Sequence, residues 1–148
     1  MAELVRTYYS TGELKSEYFV ICGVKNGMYK EYYTNGQLHI ICTYTNGELN
    51  GEYKTYYKNN CELSEDDNSK RNNMSSTDSF GQLDTICTFV NGKKNGEYKR
   101  YYDNGQLNAI CTFIDDKIIG EFKYYYFSGQ LSSTHIDGKN MDLIDLFG

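Results

Sequence analysis

The chain has 148 residues, 16 of them Tyr and 14 Gly, with no Trp or Pro, and 20 acidic against 15 basic side chains give a net charge of −5. That length suits one domain, and so much Tyr and Gly suits pleated strands and tight turns better than a helical bundle. An acidic surface repels a phosphate backbone, which disfavours direct nucleic-acid binding and favours a basic protein partner. No run approaches the roughly 20 apolar residues of a membrane span, and Met1-Ala2-Glu3-Leu4-Val5-Arg6 holds no apolar signal core. A cytoplasmic protein with five free thiols is the expectation.

Taken from the start of the chain, tyrosine pairs recur at Tyr8-Tyr9, Tyr32-Tyr33, Tyr56-Tyr57, Tyr101-Tyr102 and Tyr125-Tyr126, in steps of 24, 24, 45 and 24 residues. Leu14, Leu38, Leu83, Leu107 and Leu131 follow in steps of 24, 45, 24 and 24. Two registers with one period define a tandem repeat. Each unit holds two strand candidates. Asn35-Gly36 and Asn104-Gly105 separate them as hairpin turns, and Asn46-Gly47 and Asn91-Gly92 return the chain to the next unit. The fold expected is all-β: an elongated, twisted antiparallel meander of five or six hairpins. With each hairpin advancing the array by roughly 10 Å, it would run about 50–60 Å.

Period-two alternation divides the faces. Glu52, Lys54 and Tyr56 share one side, as do Glu97, Lys99 and Tyr101, and Glu121, Lys123 and Tyr125. The opposite side carries Tyr53 with Tyr57, Tyr98 with Tyr102, and Phe122 with Tyr124 and Tyr126. Leu107, Ala109, Cys111 and Phe113 line up in the second strand, as do Leu83, Thr85, Cys87 and Phe89, and join that aromatic side as the core. Cys42, Cys87 and Cys111 hold one place in three units, which marks a packing position. Cys22 and Cys61 fall outside it, and Cys61, in a polar stretch, is the thiol expected to be exposed.

One domain is expected over residues 1–148, with two interruptions. The 45-residue step exceeds one period by 21, and the polar stretch 60–80 is either an inserted mobile loop, the reading favoured because Thr77-Asp78 replaces a Tyr pair, or a decayed repeat. The tail 139–148, apolar with acidic punctuation, is expected to cover the open edge or to dock on a second subunit.

The string Asn91-Gly92-Lys93-Lys94-Asn95-Gly96-Glu97-Tyr98-Lys99-Arg100-Tyr101-Tyr102-Asp103-Asn104-Gly105-Gln106-Leu107 resembles a variant MORN repeat (membrane occupation and recognition nexus), and the resemblance extends over nearly the whole chain apart from 60–80 and the tail. It implies a hairpin array without a cofactor, working as a binding scaffold. One bacterial branch with this repeat consists of antitoxins, whose cognate toxins are commonly nucleases; the Asn, Lys, Ile and Tyr bias and the occurrence of such repeats in giant DNA viruses suggest a viral source acting in host cytoplasm. The sequence lacks the Tyr-x-Gly start and the Trp of other MORN repeats, which puts lipid binding in doubt.

No catalytic set accompanies the repeat. His39 takes the place of Asn108 in the register and reads as a strand residue; His135 has no evident partner. No Cys or His pairs stand at metal-ligand spacing, and Glu65, Asp66 and Asp67 lack the Gly turn and closing Glu of a calcium loop. No catalytic residue, cofactor or metal is therefore expected. The partner-binding candidates are Tyr32, Tyr56, Tyr101 and Tyr125, a row meeting solvent on the Lys/Glu face, with Glu65, Asp66 and Asp67 to attract a basic toxin. A scaffold or membrane-associated organiser, homodimeric or not, is the alternative.

Overall fold

A computed structural model describes residues 1–59 and 81–136. Their regular structure is all β: β1 (Ala2–Tyr8), β2 (Leu14–Ile21), β3 (Val24–Tyr32), β4 (Leu38–Thr45), β5 (Glu48–Tyr56), β6 (Leu83–Val90), β7 (Lys93–Lys94), β8 (Gly96–Tyr101), β9 (Leu107–Ile114), β10 (Lys117–Tyr125) and β11 (Leu131–Ile136). They form one antiparallel sheet that follows chain order, with short β7 and then β8 flanking β6. This is the expected meander, and five hairpins make it: β1–β2, β3–β4, β5–β6, β8–β9 and β10–β11. Ten strands abreast, about 4.8 Å apart, give a sheet roughly 45 Å across.

The two edges of the sheet use different turns. Where Asn46-Gly47, Asn91-Gly92 and Asp115-Asp116 return the chain, both residues have positive φ (50° and 86°, 49° and 77°, 48° and 66°), the two-residue hairpin geometry that matches strand twist. At Asn35-Gly36 only the glycine is left-handed (φ 80°). There Gly36 N–H donates to Tyr33 O (2.9 Å) and Tyr33 N–H to Gln37 O (2.8 Å), so the loop has three residues rather than the two its Asn-Gly suggests. Asn35 Oδ1 accepts from Gln37 N–H and stabilises the wider loop. Cys22 occupies the Asn46 place of the first return turn, with φ 52° and an exposed side chain. Cys22→Asn is thus expected to stabilise the fold by about 0.5–1 kcal/mol, since Asn tolerates this conformation better; urea denaturation measures the shift.

Repeat joins repeat through the second tyrosine of each pair. Tyr9, Tyr33, Tyr57 and Tyr102 donate their hydroxyls to the carbonyls of Tyr32, Tyr56, Tyr101 and Tyr125 at 2.7, 2.8, 2.8 and 2.9 Å. On the opposite edge, Gly47, Gly92 and Asp116 N–H groups donate to Lys25, Leu49 and Lys94 carbonyls. Both edges are stitched at the repeat period. The Tyr57 latch spans the 45-residue step, and β5 pairs directly with β6 (Tyr56 opposite Leu83, Tyr57 N–H on Gln82 O). The expectations for 60–80 itself, Cys61 included, and for the tail fall outside the described residues. Tyr57→Phe should cost about 1–2 kcal/mol, with amides of the β6–β8 junction exchanging faster.

One face assignment changes. Glu31 pairs with Ile40 but Tyr32 with Leu38, leaving His39 as a bulge, and Lys15, Asp84, Asn108 and Ser132 are the extra residues at the same place in other units. A bulge resets the alternation. Leu38, Leu83 and Leu107 therefore stand opposite Tyr32, Tyr56 and Tyr101 on the Lys/Glu face, not beside Cys111 and Phe113.

With one layer of sheet in the described residues, no large side chain is fully enclosed; the buried set is small, namely Ser16, Leu38, Cys42, Gly81, Cys87, Ala109 and Cys111. The cysteines are roofed by rings. Tyr29 and Tyr53 flank Cys42 from its two neighbouring strands, Tyr53 also faces Cys87, and Tyr98 faces Cys111. Edge-to-face pairs extend this ladder, Tyr53 with Phe89 at 5.6 Å and Tyr98 with Phe113 at 5.7 Å between centroids. Lys25 lies 4.6–5.0 Å from the Tyr18, Tyr29 and Tyr44 centroids and closes one end by cation–π attraction.

Candidate protein-interaction face

The face opposite the cysteines is built of three cross-strand rows. Nearest the three-residue loops run the pairs Tyr32–Leu38, Tyr56–Leu83, Tyr101–Leu107 and Tyr125–Leu131. Next comes the alternation Lys30, Ile41, Lys54, Ile86, Lys99, Ile110, Lys123, each opposite the one before. The third row carries Glu52–Thr88 and Glu97–Thr112. Strand alternation sets Lys and Glu two residues apart on one side, where they meet: Lys54 Nζ–Glu52 Oε1 2.5 Å, Lys99–Glu97 2.5 Å, Lys123–Glu121 2.7 Å. The Glu52 carboxylate, by hydrogen bonding, raises the Lys54 pKa. Such exposed pairs add little stability. They fix long side chains in a repeating pattern.

The four tyrosines do lie in one file, but half-buried rather than standing free in solvent. Tyr32 donates to Glu17 Oε1 (2.9 Å), and the same carboxylate faces Arg6 through Oε2 (3.5 Å) and Lys30 through Oε1 (3.7 Å). Burial, then the Glu17 carboxylate, pushes the Tyr32 phenol up to about 12. Glu65, Asp66 and Asp67 lie outside the described residues, so their position relative to this file is not defined. Their charge is still informative. Of the 20 acidic and 15 basic residues, 12 of each fall in the described residues, so the sheet is electroneutral and the whole −5 belongs to 60–80 and 137–148.

Sequence reasoning missed an apolar patch at one end of this face. Leu4, Phe19 and Met28 are 41%, 43% and 49% exposed and, with Glu17 and Lys30, line a shallow depression of about 140 Å³. Phe19 and Met28 hold the places of Thr43 and Glu52, so aligning the units at their 24-residue period would have shown the polar row turning apolar there.

The cysteine face has its own polar groups. Tyr29 donates to Glu31 (2.6 Å), and the half-buried His39, placed by its bulge, stacks on Tyr33 at 4.3 Å with Nδ1 3.6 Å from Glu31. Thr55 donates to Asp84 (2.9 Å), which Arg100 approaches at 3.5 Å. Among the described residues no His, Cys, Asp and Glu cluster could hold a metal, and no helix is long and apolar enough to cross a membrane. Burial pushes the Cys42 and Cys111 thiols up to about 11 and raises Cys87. Because these pKa values are raised on folding, the folded state keeps protons that the unfolded chain releases above about 9. Stability from this source is complete below pH 9 and is expected to fall as pH rises towards 11, seen as a declining urea midpoint.

Fold and face together define a tandem β-hairpin repeat module with a flat, regularly patterned surface. Residues 25–46, 94–115 and 119–135 match the MORN repeat variant family, under half of the chain and coincident with β3–β4, β7–β9 and β10–β11. Repeats of this kind are generally non-catalytic and serve in protein binding or as scaffolds. No curated protein matches the chain.

Proposed function

We propose that this chain is a non-catalytic protein-binding module whose partner, a basic toxin of the nuclease type, is neutralised by docking on the Tyr/Lys/Glu face. The observation that carries the reading is the four-tyrosine file, repeated at fixed spacing beside Leu and Ile on an electroneutral sheet. Tyrosine gives large contact area with few rotors to freeze. The depression at Leu4, Phe19 and Met28 can receive an apolar anchor of the partner. The acidity of 60–80 and 137–148 suits long-range attraction of a basic protein, leaving contact to neutral chemistry. The antitoxin character itself rests on the family resemblance.

The test titrates the intact chain into a small basic nuclease encoded beside its gene. Nuclease activity should be abolished at equimolar chain, with an association rate that falls steeply with salt. Neutralising Glu65, Asp66 and Asp67 to their amides should flatten that salt dependence more than it weakens the complex. If neither a nuclease nor another toxin is bound, the inhibitor reading fails and a scaffold role takes its place.

A further inference from the structure

The hairpins of this sheet meet at four seams, each made by the second strand of one unit against the first strand of the next: β2–β3, β4–β5, β6–β8 and β9–β10. Among the described residues, β1 pairs only with β2 and β11 only with β10. One first strand and one second strand therefore each present an unpaired edge, and together they are the two halves of a seam. We propose that they join between two copies of this chain, β11 of one copy against β1 of the next, in a head-to-tail row. The internal seams set the register. Ile110 opposite Lys123 and Tyr18 opposite Tyr29 place Thr134 opposite Arg6, and His135 opposite Val5.

Two observations identify a second copy as the occupant. The first is the cross-strand row that carries Glu52–Thr88 and Glu97–Thr112. It turns apolar only at its ends, at Leu4, Phe19 and Met28 on one side and at Ile136, 66% exposed, on the other. Ile136 holds the repeat place of Phe19, and Leu4 that of Met28. The new seam thus sets Ile136 of one copy beside Leu4 of the next, as Phe19 and Met28 share one depression within the chain. Four apolar residues then run unbroken across the joint, and their exposure is removed. The second observation is the latch. Tyr9, Tyr33, Tyr57 and Tyr102 are half-buried and donate to the first-tyrosine carbonyl of the following unit. Tyr126, the fifth of the series, is 57% exposed, and its hydroxyl finds no acceptor among the described residues. The Tyr8 carbonyl, first of the acceptor series, receives no tyrosine hydroxyl there. Donor and acceptor of a fifth latch stand at the two edges that the seam brings together. Such a contact is heterologous, so copies add in a row rather than pairing off. The file of Tyr32, Tyr56, Tyr101 and Tyr125 stays open along that row, so the association goes beyond the docking proposed above and does not depend on it. Only the leading copy keeps its depression free for another partner.

The experiment uses the full chain with Cys22→Ser and Cys61→Ser, adding Val5→Cys to one preparation and His135→Cys to another. Opposed strand residues meet the Cα separation that a disulfide needs. Mild oxidation of the mixture should therefore link one chain of each kind, at a rate that neither preparation reaches alone. Urea midpoints close to that of the parent show that both sheets are intact. In sedimentation, the wild-type chain should gain mass with concentration beyond that of a dimer, and Ile136→Lys should hold it at the monomer. No disulfide in the mixture overturns the proposal. Equal linking within either preparation alone also overturns it, because each edge then pairs with its own kind. A wild-type chain that stays monomeric at every concentration does the same.

Discussion

Replacing Cys87 by Asp is expected to unfold the central repeats. Cys87 is 4% exposed, faces Tyr53, and lies in the row of cysteines roofed by rings. A carboxylate there loses its water, and the attraction of Lys94 offsets only part of that loss, leaving a cost of roughly 3–5 kcal/mol. A domain holds only about 5–15 kcal/mol in reserve, and in a one-layer sheet each repeat leans on its neighbours alone. The urea midpoint should collapse or the transition lose its cooperativity. Cys22→Asp, at a turn position where Asp115 stands in a later unit, should leave the midpoint unchanged or raise it. Equal midpoints for the two variants would contradict the assignment of the cysteine ladder as the core.

The fold was legible because period and turn chemistry agreed. A 24-residue register in both Tyr and Leu gives the hairpin count, and alternation from Glu52 to Tyr56 gives the faces of the first strands. What alternation could not reveal was a bulge, which carries no fixed residue type: Lys15, His39, Asp84, Asn108 and Ser132 share only a position. Leu38 and its counterparts consequently moved to the other face. The second tyrosine of each pair was legible as a core ring, but not as a hydroxyl donor to the next repeat, since that bond is to a backbone carbonyl. The candidate face was readable as a row of Tyr56-type residues with its Lys/Glu pairs. The Phe19–Met28 patch was readable only by comparing units position by position, because each residue alone is unremarkable on a surface.

The Tyr56→Ala, Tyr101→Ala double variant should lose binding of the partner by at least about a hundredfold, because buried aromatic anchors in an interface centre contribute about 2 kcal/mol or more each. Its sheet should survive. The latches at these positions use the backbone carbonyls of Tyr56 and Tyr101, which alanine keeps. Arg100→Ala is the matched control: it lies in a row with Thr85 and Ala109 on the cysteine face, its side chain 54% exposed. Calorimetric titration of the proposed protein partner into wild type, double variant and control, with circular dichroism to confirm the fold, tests the face assignment most directly. The account predicts binding by wild type and Arg100→Ala within about threefold of each other and no measurable heat with the double variant. Wild-type affinity in the double variant, or loss of binding in Arg100→Ala alone, would contradict it.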